Sequence, residues 1–224
     1  MNERAALLHA VCANPDDDTA RLVFADWLTE HGEGERAEFI RGQIACDLDN
    51  FDTGTVKFVP LAGYERNPAV VQRVELEYRT LILAARHRPA WLAALAGRTP
   101  DDSTDLGYRY GPFYHGFVFS LFVSHPDPFL KDWPVIFQSA PITELELSCT
   151  VPLRAVAGPG FERVRELRIT PGCELTLRDV ATLTELANES PHLRVFVAAE
   201  QPDDRVTALR RVFGDRLRWQ FNRS

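Results

Sequence analysis

The sequence predicts an α/β fold in two parts: an N-terminal helical domain over residues 1–97, packed on a short solenoid of strands and helices with a parallel sheet over residues 113–224. Three observations predict it. Apolar residues recur at helical spacing through the first part. From Ile142 onward, short alternating segments return at nearly constant intervals. The charge is also divided: the net charge is −7, residues 1–60 hold twelve acidic and five basic side chains, and residues 61–224 hold twenty of each. A composition 45% apolar and 25% charged excludes collagen, coiled coil and bulk disorder. The acidic balance speaks against a nucleic-acid binder.

In order along the chain, Leu7, Leu8 and Val11 share one face of a helix over 3–13, which Asn14-Pro15 ends. Asp16-Asp17-Asp18 opens a second helix, where carboxylates cap free N–H groups. Its inward stripe is Ala20, Val23, Phe24, Trp27 and Leu28, and His31-Gly32-Glu33-Gly34 stops it. A third helix covers about 35–48, with Ala37, Ile40, Ile44 and Leu48 inward. Residues 49–67, rich in Asp, Asn, Gly and Pro, read as a variable linker. Val71, Val74, Tyr78, Leu81, Ile82 and Ala85 give a fourth helix. Pro89 starts a fifth, through Trp91, Leu92 and Leu95, and residues 98–112 read as a polar loop.

The texture changes at Phe113. Residues 117–123 read as a strand, and Pro134 as the first turn of a short helix running to Ser139. Four alternating strands follow, at 142–147, 164–169, 193–197 and 217–221, with helical stretches at 177–188 and 203–213. Leu145, Leu167, Leu193 and Leu217 mark intervals of 22 to 26 residues, within the range of leucine-rich repeats. Ile142-x-x-Leu145-x-Leu147 and Val164-x-x-Leu167-x-Ile169 match L-x-x-L-x-L, with Thr150 and Gly172 where such repeats place Asn or Cys. In the third unit two registers compete: Leu193, Phe196 and Ala198 inward, or Leu193, Val195 and Val197 inward. A strand and helix cannot bury an apolar face alone, and stacking several does so.

The N-terminal text is more diagnostic. Asn14-Pro15-Asp16-Asp17-Asp18-Thr19, Arg21-Leu22-Val23-Phe24-Ala25-Asp26-Trp27-Leu28, Glu30-His31-Gly32 and Arg36-Ala37-Glu38-Phe39-Ile40-Arg41 together resemble the repeat-companion domain of planctomycete-type bacteria, which sits ahead of leucine-rich-like repeats. His115-Gly116-Phe117-Val118, the 129–141 stretch and Phe213-Gly214-Asp215-Arg216 are similar to that family's middle and end. The resemblance implies architecture and an interaction role, not a reaction.

Candidate chemistry is sparse. Asp16-Asp17-Asp18 has the oxygen ligands of a cation site, and capping explains it better. Arg21, Asp26, Trp27, Glu38 and Arg41 offer a polar constellation whose simpler reading is an interhelical ion pair. Cys149 or Cys173 with a histidine would suit a cysteine-dependent hydrolase or protease, but G-x-S-x-G, P-loop, G-x-G-x-x-G and H-E-x-x-H are all absent. Cys12, Cys46, Cys149 and Cys173 are scattered and apart from the histidines, so no metal and no cofactor is expected. Tyr108, Tyr110, Phe113, Tyr114 and Phe117 read as core rather than as base-stacking rings. No run approaches a membrane span and the start lacks a signal-peptide pattern, which points to the cytoplasm.

What remains is surface. Residues alternating with the core positions share an open strand face: Glu144, Glu146, Glu166, Arg168, Arg194, Phe196, Arg218 and Gln220. The expectation is a non-enzymatic protein–protein interaction module, an adaptor or regulatory subunit, binding another protein through that face.

Overall fold

The structure is a computed structural model that describes residues 3–46, 67–97, 107–171, 173–198 and 204–220. The elements run α1 (Glu3–Ala13), α2 (Asp18–Glu30), α3 (Gly34–Cys46), α4 (Pro68–Leu95), β1 (Tyr108–Tyr110), β2 (Phe113–Tyr114), β3 (Phe117–Val118), β4 (Ser120–Val123), α5 (Pro126–Ser139), β5 (Glu144–Leu147), α6 (Leu153–Val156), β6 (Glu166–Ile169), α7 (Leu177–Glu189), β7 (Arg194–Ala198), α8 (Asp204–Phe213) and β8 (Leu217–Gln220). It is a mixed α/β protein with a mostly parallel six-stranded sheet. Among the described residues no helix is long and apolar enough to cross a membrane. The linker expected at 49–67 lies outside the described residues, except for Asn67, which caps α4 by accepting the Ala69 N–H.

The chain divides into two compact units, 1–102 with 112–118, and 103–111 with 119–224. The boundary expected at 113 is therefore displaced. The hairpin β2–β3 belongs to the helical unit, and β1, within the expected polar loop, belongs to the sheet unit.

In the helical unit, Asp17 caps α2 by accepting the Thr19 N–H at 2.8 Å. The core gathers Val11, Phe24, Ala25, Leu28, Ala37, Ile40 and Phe117. The α2 stripe holds at Ala20, Phe24, Trp27 and Leu28 but not at Val23, and the α4 stripe is rotated. On α2, Val23 is 47% exposed, while Arg21 and Ala25 are buried. On α4, Tyr78 and Ile82 are exposed, and Thr80, Leu83 and Ala84 are buried instead. In α3, Phe39, Gln43 and Cys46 are buried beside Ala37 and Ile40, so this helix packs on more than one side, and Ile44 is only half-buried. Leu48 lies outside the described residues.

The break expected at Pro89 is absent, and α4 is one helix through it. Pro89 forfeits one backbone bond. The carbonyl thus freed belongs to Ala85, and both residues are exposed, so the freed group lies on the solvent side of the helix. Beyond it, Trp91 packs on Phe39 and Phe113 at ring separations of 4.9 and 6.1 Å and holds the last turns in place. Likewise α5 begins at Pro126 rather than Pro134, which sits exposed within the helix. The earlier turns are fixed by buried Phe129 and by Asp132, which accepts the Tyr108 hydroxyl at 2.7 Å.

The expected strand 117–123 is divided at Phe119. Its first part pairs with β2 and its second joins the main sheet. The order β1-β4-β5-β6-β7-β8 follows the chain, with β1 antiparallel to β4 and every later pair parallel. Helices α5 to α8 form the returns. Ile142, Leu145 and Leu147, then Val164, Leu167 and Ile169, are all buried. The third unit takes simple alternation: Leu193, Val195 and Val197 are buried, while Phe196 is half-exposed.

Candidate functional site

The parallel registry brings the predicted face together. One row across the strands reads Ser120, Glu144, Glu166, Arg194. The next reads Arg109, Phe122, Glu146, Arg168, Phe196, Arg218. Their strand neighbours Leu145, Leu167 and Val195 point into the core, so pleat alternation turns these rows outward, and only Ser120, beside Gly111, is itself buried. Arg168, Arg194 and Arg218 are exposed, and Glu144, Glu146, Glu166 and Phe196 are half-buried. Gln220 pairs with Ala198 in a third row, and its side chain lies outside the described residues.

The second row contains guanidinium–phenyl stacks. Arg109 lies over the Phe122 ring at 5.1 Å. Arg168 and Arg218 lie over the Phe196 ring at 5.3 and 5.9 Å. Such contacts hold an arginine in place while leaving its N–H groups available. Arg168 also pairs with Glu166. Among the described residues Arg109, Arg194 and Arg218 have no carboxylate at ion-pair distance. Burial raises the Glu144 carboxyl above its usual range, and Glu166 alongside adds to this while Arg168 opposes it.

Sequence reasoning missed Arg109 and Phe122. The alternation Tyr108-Arg109-Tyr110, buried, exposed, buried, was the available signal. It also missed a cleft of about 430 Å³ among the return helices, lined by Arg154, Phe161, Glu162, Thr182, Glu185 and Glu189.

The polar constellation of the N-terminal motif is not one site. Asp26 pairs with Arg41 at 2.7 Å, and Arg41 also donates to the Thr29 hydroxyl, an exposed tie from α2 to α3. Glu38 pairs with Arg79 of α4 at 2.6 Å. Trp27 donates to Glu3 at 3.0 Å and stacks on His31 at 3.9 Å. Arg21 is buried, pairs with Asp18 at 2.6 Å and donates to the Pro15 carbonyl.

That buried end fastens the His115-Gly116 turn. Both residues have positive φ, +44° and +86°, the pattern of a two-residue type I′ hairpin. His115 tolerates this because its Nδ1 meets Asp18 at 2.8 Å and its ring stacks on Tyr114 at 4.1 Å. At Gly116 a Cβ would lie 2.4 Å from Ile40 Cγ1, so only glycine lets the turn reach α3. Gln43 accepts the Gly116 N–H at 2.6 Å and donates to the Phe113 carbonyl at 3.2 Å. Arg36 donates to the Gly116 carbonyl from among the rings of Phe39, Trp91, Phe113 and Phe117, the nearest being Trp91 at 4.5 Å. Burial pushes the Arg36 guanidinium down to about 9, against the pull of Glu33.

The remaining candidates are placed as follows. Tyr108 and Tyr110 are buried in the sheet unit, and Phe113 and Phe117 are buried in the helical unit. Cys149 donates weakly to the Val123 carbonyl, at 3.8 Å. Burial raises both the Cys149 and Cys173 thiols, the latter to about 11, whereas a nucleophile needs a depressed value. No group of three or more His, Cys, Asp or Glu residues suited to a metal gathers among the described residues. Compared with protein-family models, curated proteins and solved structures, the chain matches none.

Proposed function

We propose that this chain is a non-enzymatic protein–protein interaction module, an adaptor or regulatory subunit of a bacterial assembly in the cytoplasm, which presents the open strand face to another protein. The observation that carries this is the in-register row of arginines and phenylalanines on neighbouring strands. Aromatic and arginine side chains are the types that dominate binding energy at protein interfaces. A short parallel sheet holds them rigidly, so little conformational freedom is lost on association.

On this reading the sheet unit is a short leucine-rich-like solenoid. Strand order following chain order supports it. So does Thr150, at the repeat's usual Asn position, whose hydroxyl accepts the Glu174 N–H of the next repeat at 3.1 Å. The helical unit is its repeat-companion domain. The residues that carry that resemblance, Asp18, Arg36, Arg41 and His115-Gly116, are those that tie its elements together.

The test is a photo-crosslinking residue introduced at Phe196 in the native host, with Leu177, 77% exposed on α7, as the control position. The expected result is one protein adduct at position 196, absent at 177 and lost when Glu146→Arg and Arg168→Glu are added. Equal adducts at both positions, or adducts unaffected by the charge reversal, would refute the proposal.

A further inference from the structure

The open face is electrically divided across its strands. β5 presents Glu144 and Glu146, β6 presents Glu166 and Arg168, β7 presents Arg194 and Phe196, and β8 presents Arg218. The acidic side chains are thus clustered on β5 and β6, and the basic ones run from β6 to β8, Arg168 and Arg218 over the Phe196 ring. At the far edge Arg109 stands alone over Phe122. Resting on the reading of this face as protein-binding, we infer that its occupant is a short extended protein segment lying across the strands, with carboxylates over β7–β8, an apolar side chain on Phe196 and a basic side chain over β5.

Size and charge favour this occupant. Five strand spacings of roughly 4.8 Å make the face about 24 Å wide, and four residues of strand make it about 13 Å deep. That is roughly 300 Å², well short of the roughly 800 Å² each partner buries in a stable complex. A second copy could set its acidic strip against this basic one, but the area is too small for a stable dimer from this face alone. A segment of about seven extended residues fits the width. Among the described residues Arg194 and Arg218 have no carboxylate partner and can meet one from outside, Arg218 being already held over Phe196. The raised Glu144 carboxyl, crowded by Glu166, gains from a cation placed beside it. The acidic strip argues against a uniformly anionic strand, because a nucleic acid would be repelled at β5.

The probes are synthetic heptapeptides measured against the full chain by fluorescence anisotropy. One set carries two acidic residues at one end, a leucine next to them and two basic residues beyond it, in both chain directions. The others are all-acidic, all-basic and uncharged, with a single-stranded oligonucleotide as competitor. One bipolar direction should bind tightest, and Arg194→Glu with Arg218→Glu should weaken it about tenfold at low salt. Exchanging the peptide's acidic residues for basic ones should restore binding to that variant. Tightest binding of the all-acidic peptide, displacement by the oligonucleotide, concentration-dependent dimerisation lost in Arg218→Glu, or no preference among peptides would each overturn the inference. If peptides fail while the adduct at position 196 persists, the polarity is wrong and the binding face stands. If both fail, neither stands.

Discussion

Gly42 in the middle of α3 faces Thr80 on α4 so closely that a methyl group would lie 2.2 Å from the Thr80 hydroxyl and 3.3 Å from its Cβ. In an unobstructed helix, replacing glycine by alanine gains about 1 kcal/mol. Here the Thr80 side chain, buried to 1% exposure, is fixed by a bond to the Leu76 carbonyl at 2.7 Å. To admit the methyl, Thr80 must rotate and give up a buried hydrogen bond, at about 1–3 kcal/mol. Otherwise α3 and α4 must separate, and overpacking of this kind costs a similar 1–3 kcal/mol. Either cost, less the helix gain, leaves Gly42→Ala about 0–2 kcal/mol less stable than wild type, in place of the gain of about 1 kcal/mol usual for this substitution. Adding Thr80→Ala removes the obstruction, so the double variant should recover at least about 1 kcal/mol relative to Gly42→Ala alone. Urea unfolding followed by far-ultraviolet circular dichroism gives the three differences, and amide exchange of α3 and α4 peptides assigns them to the helical unit. A Gly42→Ala protein about 1 kcal/mol more stable than wild type, or a double variant no better than the single, would refute the close approach of these helices.

Three other outcomes are expected. Arg36→Met should lower stability by about 2–3 kcal/mol, because a charged hydrogen bond and several ring contacts are lost together; Arg41→Met, whose ion pair is exposed, should stay under about 1 kcal/mol in the same urea titration. Burial alone would raise the Asp18 carboxyl, but hydrogen bonds from His115 and Arg21 outweigh it and hold the group below its ordinary range. A folded value below the unfolded one contributes stability above about pH 4 that is lost as pH falls, so the advantage of wild type over Asp18→Asn should shrink between pH 6 and pH 3 in unfolding midpoints. Cys149 and Cys173, with raised thiols, should react with an aromatic disulfide at pH 8 more slowly than a free cysteine and speed up in urea; a fast native reaction would favour the cysteine-hydrolase alternative.

The parts legible in the sequence were those written locally. The strands expected at 142–147 and 164–169 and the capping by Asp16-Asp17-Asp18 depend on neighbours a few residues away; the strands are present, each starting two residues later, and Asp17 is the cap. Errors arose where distant groups decide. Pro89 and Pro134 read as helix starts because proline breaks a helix on local grounds, yet both prolines are exposed and the flanking turns are held by remote aromatic packing, Trp91 on Phe39 and Phe129 on Tyr108. Val23 and Tyr78 were placed inward by periodicity, but a helix stripe can rotate to let a charged or hydroxyl group bury with partners: Arg21 on Asp18, and Thr80 on its own backbone. The face shows the same division. That Glu146 and Arg168 point outward follows from period two within each strand. That Arg168, Phe196 and Arg218 form one stack follows from parallel registry across strands more than 20 residues apart in sequence, and only pairing fixes which members of each strand stand side by side. A one-residue slip of β7 would exchange Phe196 for a buried valine and set an apolar row in place of the stack. The buried Val195 and Val197 therefore do more than fill the core: by fixing the register of β7, they place the ring that Arg168 and Arg218 flank.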